Sequence, residues 1–278
     1  MPRREAVESE HTMTMPTGVL APPSTKSITY GVVSFLNARP LREFIPQRED
    51  VIVRPEVPSK LIDLLDAGEC DVALLPVVDY WRNRDRLESV SDACIGSDGE
   101  TMTVRVYSKK PPDRIERLYV DGDSHTSVVL ARLVWLELYG HKLDVVPLRD
   151  IRIDHDGPAE AVLLIGDKVV TNAPRGFGFE VDLGAAWKHL TNLPFVFAAW
   201  YGRRGERHLS AARMLNEARD RGVADVRRIA MDAAPLHGWP PELAVRYLGE
   251  TMKYRVTSAM RAGMDRFFYM AENHGLFA

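Results

Sequence analysis

A chain of 278 residues, 45% hydrophobic and 27% charged, can bury the core of one large domain or two small ones. Its 36 Lys and Arg against 39 Asp and Glu leave a net charge of −3, which excludes a broad basic footprint for nucleic acid. Cys70 and Cys94 are too few for a disulfide scaffold or an all-cysteine metal site, and they fit a reducing, cytoplasmic compartment.

Residues 1–26 are polar and proline-containing, hold no apolar run of signal-peptide length, and read as a disordered extension. Nowhere do roughly 18 apolar residues follow one another, so no membrane span is expected. Ile28–Val33 reads as a buried strand that ends in the turn-like Ser34-Phe35-Leu36-Asn37. Ser59 is placed as the N-cap of a helix carrying Leu61, Ile62, Leu64 and Leu65, with Gly68 to stop it. The apolar run 71–75, closed by Pro76, then reads as a parallel strand covered on both faces. Strand, helix, strand is the unit of an α/β protein.

A second block begins after Gly99. Segment 103–107 alternates with period two, and 118–121 gives a further strand. A long helix then opens at 124–127 and ends at Gly140. Segments 143–148 and 161–165 read as strands, 182–190 as a short helix and 195–200 as another apolar strand. Residues 208–221, 241–253 and 257–273 read as helices with no strand between them. The expected architecture is α/β with two lobes around a central ligand cleft. Residues 27–106 form lobe 1, 107–199 form lobe 2, and 200–278 return to lobe 1 as helices, with crossings near Tyr107 and Trp200.

The common nucleotide-binding, metalloprotease and serine-hydrolase signatures are missing, and Gly176-Phe177-Gly178 has no strand–turn–helix around it. The eight histidines are scattered without ligand spacing, so neither a metal site nor a cofactor is expected. Two loops hold more information. Ser34 to Pro40 follows the first strand, where α/β sheets present ligand loops; Ser34 or Asn37 could equally cap the next helix. In Asp123-Ser124-His125-Thr126-Ser127, hydroxyls and an imidazole open a helix. Free amide N–H groups and the positive end of the helix dipole favour a carboxylate there, although plain capping would use the same residues.

Ser34-Phe35-Leu36-Asn37-Ala38-Arg39-Pro40-Leu41 resembles the opening motif of the chorismate dehydratase family, which belongs to the futalosine route to menaquinone. Pro58-Ser59-Lys60-Leu61 and Asp71-Val72-Ala73-Leu74-Leu75-Pro76 resemble the segments that follow in that family. Asp123 to Ser127 resembles its S-R-T-S helix start. Ile165-Gly166-Asp167, Asp182-Leu183-Gly184-Ala185-Ala186-Trp187 and Leu193-Pro194-Phe195-Val196-Phe197-Ala198 continue the series in the same order, to the C-terminus.

The resemblance implies a type II periplasmic-binding-protein-like fold closing on a small anion. It implies loss of water from chorismate, a dicarboxylate, to give 3-[(1-carboxyvinyl)oxy]benzoate. A non-catalytic dicarboxylate-binding protein of the same fold is the alternative. Asn37 is expected to be the catalytic residue: its amide orients a substrate carboxylate that takes the proton. Ser34, Thr103, Ser124, His125, Thr126 and Ser127 are expected to contact the substrate. No nucleic-acid or membrane partner is expected, and the oligomeric state stays open. Two departures stand out: His125 replaces the family's Arg, and Thr103 stands where the family favours Ser. A sister enzyme, 1,4-dihydroxy-6-naphthoate synthase, is less similar in its first motif and carries a histidine where this chain reads Leu164-Ile165-Gly166-Asp167.

Overall fold

Among the described residues, eleven strands are divided between two mixed sheets. The computed structural model describes residues 27–148, 157–206 and 208–277, so the extension expected at 1–26 lies outside the described residues. In chain order the strands are β1 (Ile28–Val33), β2 (Val51–Glu56), β3 (Val72–Pro76), β4 (Leu87–Ser97), β5 (Val104–Ser108), β6 (Arg117–Val120), β7 (Asp144–Pro147), β8 (Ala161–Ile165), β9 (Phe179–Asp182), β10 (Phe195–Arg203) and β11 (Met252–Arg255).

The first lobe holds a six-stranded sheet in the order β11-β4-β10-β3-β1-β2. β1 runs parallel to both β2 and β3, while β10 is antiparallel to β3 and β4. The second lobe holds a five-stranded sheet in the order β7-β6-β8-β5-β9. It repeats the scheme: β6 is parallel to β7 and β8, and β5 is antiparallel to β8 and β9. In each sheet the strand order reverses beside the first parallel strand, where α/β sheets open a crevice at their carboxyl ends.

Burial follows the residue pattern. Every residue of β3 and of β8 is buried, as continuous apolar runs in covered central strands require. β2 is an edge strand, mostly exposed, and tolerates Pro55 there. The helix His125–Tyr139 starts at Ser124, whose Oγ accepts from Ser127 N, and stops at Gly140 with φ +74°. Ser59 does not cap a helix: it sits inside the single turn Pro58–Lys60 that precedes the helix Leu61–Asp66.

The expected lobe boundaries fall inside strands. Tyr107 belongs to β5, hydrogen-bonded within the second sheet, and Trp200 belongs to β10, hydrogen-bonded within the first. The chain therefore changes sheets earlier, between Ser97 and Val104 and between Asp182 and Phe195. One carboxylate joins the two crossings. Asp182 accepts from Thr101 N, Thr101 Oγ1 and Met102 N on one, and caps the helix Leu183–Thr191 through Gly184 N and Ala185 N on the other. This grip holds Met102 at φ +65°, a conformation uncommon for a side-chain-bearing residue. Gly184 admits the approach: a Cβ there would lie 2.4 Å from Gly99 O.

The C-terminal part is not purely helical. The predicted helix over 241–253 is instead a short helix Pro241–Arg246, a π-helical turn Tyr247–Thr251 and the edge strand β11. Among the described residues no helix is long and apolar enough to cross a membrane.

Candidate functional site

The carboxyl ends of the parallel strands meet at a cavity between the lobes, whose empty space of about 480 Å³ includes volume open to solvent. The first lobe contributes Val33 at the end of β1, Phe35 and Asn37 after it, Pro76 at the end of β3, and Phe197 from β10. The second contributes Ser124 and Ser127 from the helix start after β6, Ile165 at the end of β8 and Gly166 after it. Thr101 and Thr103 enter from the crossing. Depressions of about 1130 and 1210 Å³ are larger, but they are lined by the first lobe and the crossing segments and gather none of the candidate residues.

The wall is apolar apart from one amide and a set of hydroxyls, and no charged side chain lines it among the described residues. After β1 the chain makes a tight helical turn, Leu36–Ala38, that passes directly into the short helix Arg39–Arg42, and neither has a side-chain cap. Asn37 sits in that turn, and its Oδ1 is buried without a hydrogen-bond partner. A buried polar atom left open in a cavity wall is a place for a ligand to bond. Thr103 Oγ1 lies 2.7 Å from the Tyr247 hydroxyl. On the opposite wall Ser127 Oγ donates to Ser124 Oγ at 3.1 Å, at the positive end of a 15-residue helix.

Four of the expected residues thus line one cavity: Asn37, Thr103, Ser124 and Ser127. Ser34, His125 and Thr126 are not part of its wall. Ser34 ties β1 to β2 by its backbone, donating to Glu56 O at 2.9 Å. The other two join the lobes. Thr126 Oγ1 accepts from Val78 N, and His125 Nδ1 lies 2.7 Å from Asp79 Oδ1, with the imidazole 40% and the carboxylate 5% exposed. Beside them Ser59 N donates to Asp123 O. His125, one position into the helix, faces the partner lobe while Ser124 and Ser127 face the cavity.

A second joint closes the other side. Asp167 accepts from Leu36 N at 3.2 Å, from Trp239 Nε1 at 3.0 Å, and bonds His237 Nδ1 at 2.7 Å. The preceding Gly166 is at φ +72°, and a Cβ there would lie 2.8 Å from the Phe35 ring, so a glycine is needed on both counts. The Ile165-Gly166-Asp167 motif is therefore one cavity wall residue followed by an interlobe joint. Asp79, Asp167, Asp182, His237 and Trp239 were not legible as functional from spacing, because each acts on residues far away in the chain. Tyr247 read only as one position of a long helix.

Burial pushes the Cys70 thiol up to about 11 and the Cys94 thiol up to about 12, so neither is a ready nucleophile. Lys168 is held charged: burial opposes its charge, but hydrogen bonds with Asp121 and Asp123 raise it above the usual range. That cluster fixes the loop between β6 and the helix start.

Two lobes with parallel-strand ends converging on a cleft at two chain crossings define the class: a periplasmic-binding-protein-like fold. A protein from Archaeoglobus fulgidus shares it with TM-score 0.68 at 17% identity, over 91% of this chain and 99% of its own. A Candida albicans protein described as having the generic periplasmic binding protein fold matches with TM-score 0.57 at 13% identity, over 89% of this chain and 90% of its own. The aliphatic sulphonate binding protein of Escherichia coli matches with TM-score 0.58 at 13% identity, over 89% and 86%. Within this class the chain belongs to the menaquinone biosynthesis family, whose model matches residues 28–273. A chorismate dehydratase from Thermus thermophilus is 29% identical over 255 residues, covering 85% of this chain and 92% of its own length.

Proposed function

We propose that this protein is a chorismate dehydratase: a cofactor-independent hydro-lyase that removes water from chorismate to form 3-[(1-carboxyvinyl)oxy]benzoate. The observation that carries the reading is the cavity itself, an apolar and uncharged interlobe site in which the open Asn37 amide faces hydroxyls at a helix N-terminus.

The reaction takes a proton from one ring carbon and hydroxide from another, and the electron pair left behind completes the aromatic ring. Aromatisation drives it. Among the described residues the wall offers no carboxylate, imidazole or amine to act as base. A carboxylate of the substrate is then the proton acceptor; it passes that proton to the departing hydroxyl, which leaves as water, and the carboxylate returns to its ionised form. The protein's part is to hold that carboxylate against the proton, which is worth several powers of ten when the geometry is right. Asn37 supplies the orientation: its open Oδ1 accepts from a substrate hydroxyl, fixing the ring relative to the base. Ser124, Ser127 and the helix dipole hold a second carboxylate without a full positive charge. Closure by the joints at Asp79–His125 and Asp167–His237 keeps water out of an environment where every polar contact is strengthened.

We place the reaction in the cytoplasm, in keeping with the two free, buried cysteines. The test is purified protein incubated with chorismate and followed by mass spectrometry. A product lighter by one water supports the reading. Chorismate that binds but stays intact would favour a binding or sensing protein of this fold.

A further inference from the structure

Behind the cavity wall lies a residue that bonds the Thr103 hydroxyl from the first-lobe side. Tyr247 opens the π-helical turn Tyr247–Thr251 and is 1% exposed. Such turns recur at functional sites because they shift one side chain out of helical register. Its hydroxyl lies 2.7 Å from Thr103 Oγ1, and the Asn37 side chain is among the groups that partly offset the upward shift burial gives its phenol. Its ring stacks on Trp239, with centroids 4.7 Å apart and planes at 19°. Trp239 in turn donates to Asp167, whose carboxylate accepts from Leu36 N, the residue before Asn37. One C-terminal segment therefore reaches the Asn37 turn through its backbone and the Thr103 hydroxyl through Tyr247.

We propose that Tyr247 is a positioning residue, which sets the Asn37 amide and the Thr103 hydroxyl for the dehydration. A phenol has one hydrogen to give and lone pairs to accept with. When the Asn37 amide N–H donates to the Tyr247 oxygen, the phenol donates to Thr103 Oγ1. Thr103 then has its own hydrogen to give to the substrate. The same arrangement turns Asn37 Oδ1 away from Tyr247, which agrees with that oxygen being the open one. A single relay thus fixes an acceptor at Asn37 and a donor at Thr103 on one wall. Burial lifts the phenol far above its ordinary range, so the relay hydrogen stays in place across working pH. Thr103 also gains an explanation: its Oγ serves the relay, and its methyl group fills the apolar wall.

This inference rests on the chorismate reading, and its test separates the two. Steady-state kinetics with chorismate are measured for the full chain and for Tyr247→Phe, Thr103→Val and the double variant, alongside melting temperatures. Tyr247→Phe keeps the ring on Trp239 and removes only the hydroxyl. Its expected effect is a fall in kcat of about tenfold with KM within about twofold, the size of one lost hydrogen bond in the transition state. Because both single changes break the same relay, the double variant should fall no more than about twofold below the poorer single one. Wild-type kcat in Tyr247→Phe, with or without a lowered melting temperature, would overturn the positioning role, as would fully multiplicative losses in the double variant. A wild-type protein that leaves chorismate intact would remove the proposed reaction and the role of Tyr247 together.

Discussion

The two lobes use the same strand scheme and finish it differently. In the second lobe, the segment after β6 passes into a 15-residue helix whose first turn is capped by Ser124 and whose loop is held by Lys168 with Asp121 and Asp123. In the first lobe, the segment after β1 passes through the turn Leu36–Ala38 into a four-residue helix, neither of them capped by a side chain, and leaves Asn37 Oδ1 unbonded. One wall is a satisfied, dipolar surface suited to holding a carboxylate. The other keeps a polar atom in reserve, stabilised by contacts from the partner lobe and the C-terminal segment. In the proposed reaction, holding and reacting would thereby be divided between equivalent places in the two sheets.

That division can be broken at its joint. Gly184→Ala would drive a Cβ to 2.4 Å from Gly99 O and from Thr101 Cγ2 at the place where both crossings meet. The expected loss is about 3 kcal/mol or more, because backbone must move on both strands of the hinge. Thermal or urea unfolding checks it, and an unchanged midpoint would mean that the crossings are not closely packed. Ser124→Ala acts on the second-lobe wall alone. It should cost about 1 kcal/mol of stability through the lost cap, and it should raise KM for chorismate more than it lowers kcat. A variant with lower kcat and unchanged KM would contradict the holding role. The smallest effect is expected from salt. With the proposed holding by hydroxyls and a helix end rather than by charged side chains, KM should change less than about threefold between 0.05 and 0.5 M salt. A steep rise in KM would reveal a cationic side chain at the substrate.

How far the sequence carries depends on how local each interaction is. β1, β3, β8 and the helix His125–Tyr139 are legible because period, run length, the Ser124 cap and Gly140 are encoded within each segment. β2, β9 and β11 are short edge strands with exposed residues, and β4 is interrupted by Ser, Asp and Gly; pairing, rather than composition, makes them strands. The candidate site divides in the same way. Asn37, Thr103, Ser124 and Ser127 sit at strand ends and a helix start, where chemistry can be anticipated. His125 and Thr126 share the motif, yet one helical step turns them to Asp79 and Val78 on the other lobe. The joints at Asp167 and the Tyr247–Thr103 pair connect residues 70 and 144 positions apart, which no local pattern announces.

The most direct test of the central claim is the kcat of Asn37→Ala with chorismate, measured beside the wild-type protein and with melting temperatures for both. Loss of the open amide should lower kcat by about 10²–10³-fold while the protein stays folded, the scale found when one oriented polar contact to a transition state is removed. Turnover within about twofold of wild type would contradict the account, since the first-lobe wall would then have no part in the reaction.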